Sequence, residues 1–184
     1  MHMRKPFYKR ILVLMVAWFS SILTFNTQAQ ALKIGDSAPS FELANQDGEL
    51  ISLERFQGHW VVLYFYPKND TPGCTTEACS FRDNINRLIA QQAKVIGVSL
   101  DSQESHAQFA KKYHLPFDLL ADQSGEVTQA YGALLDLKVM KFAKRHSFII
   151  SPNGKISKIY RNVNPDEHVY EVMEAIKELQ GKAG

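Results

Sequence analysis

The chain has 184 residues, 45% of them hydrophobic and 22% charged, with a formal net charge of +2. That length suits one domain with a real core and is short for two. Four of the basic residues, Arg4, Lys5, Lys9 and Arg10, lie in the first 31 positions with no acid beside them, so the remainder carries 17 basic against 19 acidic residues and offers no electrostatic case for nucleic acid as a partner.

Residues 1–31 read as an export signal. A basic stretch from Met1 to Arg10 precedes an apolar one from Ile11 to Phe19, a softer segment runs to Phe25, and Ala29-Gln30-Ala31 supplies an A-x-A pattern, so cleavage is expected after Ala29 or Ala31. The run Ile11–Phe25 contains Ser20, Ser21 and Thr24 and falls short of the about 20 apolar residues of a spanning helix. The alternative is an uncleaved segment, which would tie the protein to a membrane. An exported protein of this kind goes, in a bacterium, to the periplasm. The mature domain is then residues 32–184.

Within it, Phe41–Leu43 and Leu50–Leu53 flank Asn45-Gln46-Asp47-Gly48 and predict a short hairpin. Trp60–Tyr66 is a continuous apolar run, the mark of a strand buried on both faces. The loop from Pro67 to Gly73 follows, then a helix predicted over Cys74–Gln92, and Lys94–Leu100 as the next buried strand. Strand, helix and strand of this length make a βαβ unit with parallel strands and a right-handed crossover. Asp101 or Ser102 caps the next helix, which carries Phe109, Ala110 and Tyr113. A short strand at Pro116–Ala121 and a short helix at Gly125–Tyr131 come next. Ser147–Ser151 and Lys155–Tyr160 are strands joined by a Pro-Asn-Gly turn. A last helix starts with Asn164 as cap and Pro165 in the first turn, buries Val169, Val172, Met173, Ile176 and Leu179, and stops at Gly181. The pattern is an α/β sandwich of three layers, a mostly parallel sheet with helices on both faces and the N-terminal β-hairpin as an extension.

Chemistry belongs where the loop leaves the C-terminal end of a central parallel strand and enters a helix. Thr71 suits the cap and Pro72 the first helical position, which puts Cys74 in the first turn, where free N–H groups and the helix dipole favour a thiolate. The bland alternative is a buried, inert cysteine. The second of the two cysteines, Cys79, is five residues on. On an ideal helix that spacing separates the Cα atoms by roughly 8–9 Å, beyond the about 4.4–6.8 Å of a disulfide. Either the helix starts after Cys79 and the bridge is permanent, or the turn unwinds whenever the bridge forms. Glu77 and Ala78 are good helix formers and favour the second. Two thiols cannot make a four-ligand zinc site, and His59, His106, His114 and His168 lack ligand spacing and read as surface or strand-end residues. No metal or cofactor is expected.

Pro67, Thr71 and Cys74 match the Pro-x-x-x-Thr/Ser-x-x-Cys signature of peroxiredoxins, and Thr71-Pro72-Gly73-Cys74-Thr75 with a cysteine five residues on resembles the bacterioferritin-comigratory, or Q-type, subfamily. The resemblance runs from Gly35-Asp36-x-Ala38-Pro39-x-Phe41 to the last helix. It implies a thioredoxin-like fold, antioxidant reduction of hydrogen peroxide and organic hydroperoxides, Cys74 as the peroxidatic and Cys79 as the resolving residue, and a thioredoxin-like or other dithiol reductant. It makes Pro67 and Thr71 site residues. It places Arg145, in Lys144-Arg145-His146-Ser147-Phe148, beside the thiolate, with Glu77 as a candidate to orient it. Without the resemblance Arg145 is one more cation in the run Lys138, Lys141, Lys144, where Val139, Met140 and Phe142 are unusually apolar. A monomer or weak homodimer is expected. Three other readings stand beside this one. A thiol–disulfide oxidoreductase is disfavoured by the four residues between the cysteines. A peroxide sensor passing its disulfide to a partner uses the same chemistry. A static disulfide-stapled binding domain would be indifferent to peroxide.

Overall fold

Trp60–Phe65, an apolar run with no turn former, makes the strand on which everything else is laid. In the computed structural model, which describes residues 31–182, all six of its residues are buried. The elements in chain order are β1 (Glu42–Ala44), β2 (Leu50–Ser52), a 3-10 turn at Leu53–Phe56, β3 (Trp60–Phe65), α1 (Pro72–Asp83), α2 (Ile85–Ala90), β4 (Ala93–Ser99), α3 (Gln103–Tyr113), β5 (Asp118–Ala121), α4 (Glu126–Ala130), β6 (Leu134–Asp136), β7 (Lys141–Ala143), β8 (His146–Ile150), β9 (Ile156–Arg161) and α5 (His168–Lys182). The expected export signal and its cleavage site lie outside the described residues, save for Ala31.

The main sheet has the order β5-β4-β3-β8-β9. β3, β4 and β5 are parallel, as the βαβ spacing predicts, and β8 and β9 are antiparallel additions. Because side chains alternate along a strand, β3 feeds two cores. Val62 and Tyr64 join Cys74, Ala78, Phe81, Leu88, Phe109, Val172 and Ile176 under α1, α2, α3 and α5. Val61, Leu63 and Phe65 join Phe41, Ile51, Tyr131, Ala143 and Ile156 on the other face. That second face is covered by the short helix α4, the 3-10 turn at Leu53–Phe56, the β1–β2 hairpin and β7. The hairpin also closes the β5 edge: Gln46 Oε1 accepts from the Leu119 N–H at 2.8 Å and Asn45 Nδ2 donates to Asp118 at 2.8 Å.

The structure corrects the sequence reading in four places. The helix expected over Cys74–Gln92 is two helices, broken at Asn84, whose side chain donates to the Ser80 carbonyl at 3.0 Å and competes with the backbone ladder. The last helix is regular only from His168. The Asn164 side chain accepts from the Asp166 N–H at 3.3 Å, which makes a turn of residues 164–167, and the helix runs through Gly181 to Lys182. A second hairpin, β6–β7, occupies the Lys138–Lys144 run and leaves Val139 92% and Met140 57% exposed at its tip. His106 and His168 are fully buried rather than at the surface. Both fall on helical faces that periodicity marks as apolar: His106 shares one with Phe109, Ala110 and Tyr113, and His168 one with Val172 and Ile176.

Candidate active site

The sheet register determines which residues meet. Phe65, the last residue of β3, pairs with Val98 of β4 on one side and with His146, the first of β8, on the other. The loop that leaves β3 therefore starts beside Arg145, which immediately precedes β8.

That loop, residues 67–71, ends at Thr71, whose extended backbone (φ −86°, ψ 148°) is that of an N-cap, and Pro72 opens α1. The Thr71 carbonyl accepts the first helical bond from Thr75 at 2.9 Å. Its hydroxyl does not cap. It donates to the Lys68 carbonyl at 3.0 Å and ties the loop to itself. Pro67 borders a groove of about 440 Å³ shared with Leu100, Asp101, Met140, Lys141 and Phe142.

Cys74 sits in the first turn with 1% of its surface exposed. Arg145 Nη2 donates to its Sγ at 3.3 Å, and Arg145 Nη1 donates to Glu77 Oε2 at 2.6 Å. The guanidinium thus bridges a buried sulfur and a buried carboxylate one helical turn apart. Burial pushes the Glu77 carboxyl up to about 7, against the pull of Arg145. The Arg145 guanidinium is held above its ordinary value by Glu77 and Cys74 despite its own burial. Gly73 makes room for this arrangement, since a Cβ there would lie 3.1 Å from Arg145 Nη2 and 3.5 Å from Pro165 Cγ.

Cys79 is half-buried on the same helix, and both thiols are free. With regular helix from Pro72 to Asp83, the five-residue spacing keeps them out of bonding distance.

Cys74, Arg145, Glu77, Thr71 and Pro67 are therefore gathered at one end of β3. The sequence reading missed a polar network behind the loop. Asn69 is buried and donates through its backbone N–H to Asp101 at 2.9 Å and through Nδ2 to Ser105 Oγ at 2.9 Å. The same Nδ2 is 3.1 Å from His106 Nδ1, and Tyr66 OH donates to Asn69 Oδ1 at 2.8 Å. Helical periodicity could have put His106 on the inner face of α3. Nothing in the sequence joins it to Asn69, 37 residues earlier.

A model described as the AhpC/TSA family matches residues 34–159. The putative peroxiredoxin bcp of Coxiella burnetii is 43% identical over 147 residues, 78% of this chain and 97% of that protein. The peroxiredoxin Bcp of Bacillus subtilis is 40% identical over 158 residues, covering 82% and 99%. Among solved structures, the peroxidoxin BcpB of Mycobacterium tuberculosis superposes with a TM-score of 0.76 at 31% identity, covering 80% of this chain and 97% of that one. The bacterioferritin comigratory protein of Xanthomonas campestris, studied for its alkyl peroxide reduction activity, gives 0.70 at 32% identity, covering 75% and 90%. With a thioredoxin-like fold, a cysteine in the first turn of α1 and relatives of this kind, the chain belongs to the AhpC/TSA family and is a peroxiredoxin of the Bcp and Q type.

Proposed function

We propose that this thiol peroxidase works through Cys74 as the attacking residue and Cys79 as the resolving one. The Cys74 thiolate attacks the terminal oxygen of a hydroperoxide. An S–O bond forms, the O–O bond breaks, and the leaving oxygen departs as water or alcohol after taking a proton, leaving a sulfenic acid. Arg145 places a positive charge where negative charge develops on the leaving oxygen. Glu77 holds that guanidinium in place. Thr71 and Pro67 shape the loop against which the peroxide lies. Cys79 then condenses with the sulfenic acid, releasing water, and an external dithiol is oxidised as it returns both cysteines to thiols.

The observation that carries the reading is the Arg145 Nη2 to Cys74 Sγ contact at 3.3 Å, braced by the buried Glu77. The test is consumption of hydrogen peroxide by the full chain with a dithiol, against Cys74→Ser. The variant is expected to lose all but a trace of the rate, and a variant as active as the parent refutes the assignment.

The basic-then-apolar segment at residues 1–31 supports an exported, periplasmic protein. Sequencing the N-terminus of protein recovered from a periplasmic extract tests this, with Gln30 or Leu32 expected first. A monomer or weak homodimer completes the reading, tested by sedimentation of the reduced protein.

A further inference from the structure

The loop that presents Cys74 is anchored from behind. Asn69 spends both amide hydrogens on α3 residues and its carbonyl on Tyr66. The state of His106 follows from its other nitrogen. Nε2 is 3.2 Å from the Leu120 carbonyl, which can only accept, so Nε2 carries the proton and Nδ1 is a bare acceptor, 3.1 Å from Asn69 Nδ2 and 3.2 Å from the Tyr66 hydroxyl, whose proton goes to Asn69 Oδ1. The ring is 0% exposed, and burial holds it below the ordinary histidine value, in the neutral form this bond requires. The chain then changes direction at once. Asp70 has a left-handed φ of 57° and Thr71 is extended before α1 begins. Where Asn69 is held therefore sets where Pro72 starts the helix and where Cys74 points. The other tie to α3, the ion pair of Asp70 with Lys112 at 2.7 Å, has side chains 46% and 57% exposed and contributes little.

We infer that His106 is a positioning residue for the peroxide reaction, acting through Asn69 to fix the loop that carries Cys74. It touches neither sulfur nor substrate. Its effect is to hold the thiolate on the line of approach, where a misplacement of about 1 Å can cost roughly 100-fold in rate. The inference rests on the proposed role of Cys74.

The test compares two substitutions in the full chain. In His106→Asn the side-chain oxygen overlays Nδ1 and keeps the acceptor for Asn69. In His106→Leu that acceptor is gone. Both lose the bond to Leu120, so a purely structural histidine predicts the same loss in each. Reduced protein is mixed with hydrogen peroxide and the second-order attack is followed separately from the first-order disulfide formation. His106→Leu is expected to slow attack by roughly 10–100-fold and His106→Asn by only a few-fold, with disulfide formation unchanged in both. Asn69→Ala removes the same contact from the loop side and is expected to slow attack as His106→Leu does, with no further loss in the double variant. Equal attack rates in the Asn and Leu variants overturn the inference. If the Leu variant does not fold, Asn69→Ala against His106→Asn decides, and equal rates there overturn it too. A parent protein whose peroxide consumption survives Cys74→Ser would refute the proposed function instead, and the two failures are distinct.

Discussion

A Cβ on Gly73 would stand 3.1 Å from Arg145 Nη2, so a methyl group there acts on two things at once. It favours the helix, by up to about 1 kcal/mol over glycine, and it presses the guanidinium away from Cys74. Gly73→Ala is therefore expected to raise the unfolding midpoint while lowering the rate of peroxide attack, a pairing of opposite signs. The stiffer turn also delays Cys79, so a peroxide pulse should leave more Cys74 as sulfinic acid, read by mass. Arg145→Ala removes the charge outright and is expected to cost roughly 100-fold in attack. If Gly73→Ala reacts as fast as the parent, the contact seen from Gly73 does not govern the site. At this scale the sequence was informative where chemistry has a fixed spacing. Cys74 and Cys79 lie within six residues of chain, so their spacing is on view in the sequence itself. Arg145 needed the resemblance, since only the β3–β8 register brings it to a sulfur 71 residues earlier in the chain. The pairing of Asn69 with His106 was not legible, because a loop amide and a helical imidazole carry no mark of their partner, even though periodicity marks the face His106 is on.

In the proposed cycle the element that moves is α1. It holds both cysteines in regular helix and seats Phe81, 0% exposed, against Tyr64 and His168. Releasing the turns before Phe81 costs a few backbone hydrogen bonds at about 1 kcal/mol net each. Dislodging Phe81 as well would add about 1.5–3 kcal/mol. Opening is therefore expected to stop short of it. Amide exchange of the disulfide form should be faster than that of the dithiol form across residues 72–80 and alike in α2. Identical exchange in both forms would mean that the cysteines already reach each other. The sequence reading drew one helix through Gln92 because the apolar positions keep their period across Asn84. The period reports which face is buried and is blind to a side chain that takes a backbone acceptor. Likewise β6–β7 escaped it, since three-residue strands around an exposed tip show no alternation.

Across the whole molecule, four buried groups bear on how stability follows pH, three of them with large shifts. Burial holds His146 and His168 down to about 4, with Arg161 and Lys144 assisting on the first and Arg145 on the second. Glu77 is pushed up to about 7. Between about pH 4.5 and 6.5 the unfolded chain protonates both histidines and leaves Glu77 ionised, while the folded chain does the reverse. Each histidine thus contributes stability present above its unfolded value and lost as pH falls towards 4. Glu77 contributes stability that is lost as pH rises towards 7. Two protons against one leave the unfolded state with the excess, so stability should rise with pH by about 1 kcal/mol per unit in that window. His106, also lowered by burial, adds in the same direction. His168 offers a clean control. Neither ring nitrogen has a hydrogen-bond partner, and a carboxylate oxygen of the exposed Glu171 is 3.6 Å from Nδ1. His168→Phe should keep the fold at neutral pH and flatten the slope measured by denaturant titration at pH 5 and 6. An unchanged slope would show that His168 does not stay neutral in the folded protein.

The break at Asn84 also separates two clocks. A short helix exchanges with coil in about a microsecond, whereas a domain of this size opens globally over seconds to days. Since α1 ends where it does, the strand order β5-β4-β3-β8-β9 and the helix α2 need take no part in the faster motion. In the proposed cycle the protein passes between dithiol and disulfide many times within one lifetime of its folded sheet. Its working speed and its shelf life are then set by different parts of the chain, and each is free to change without the other.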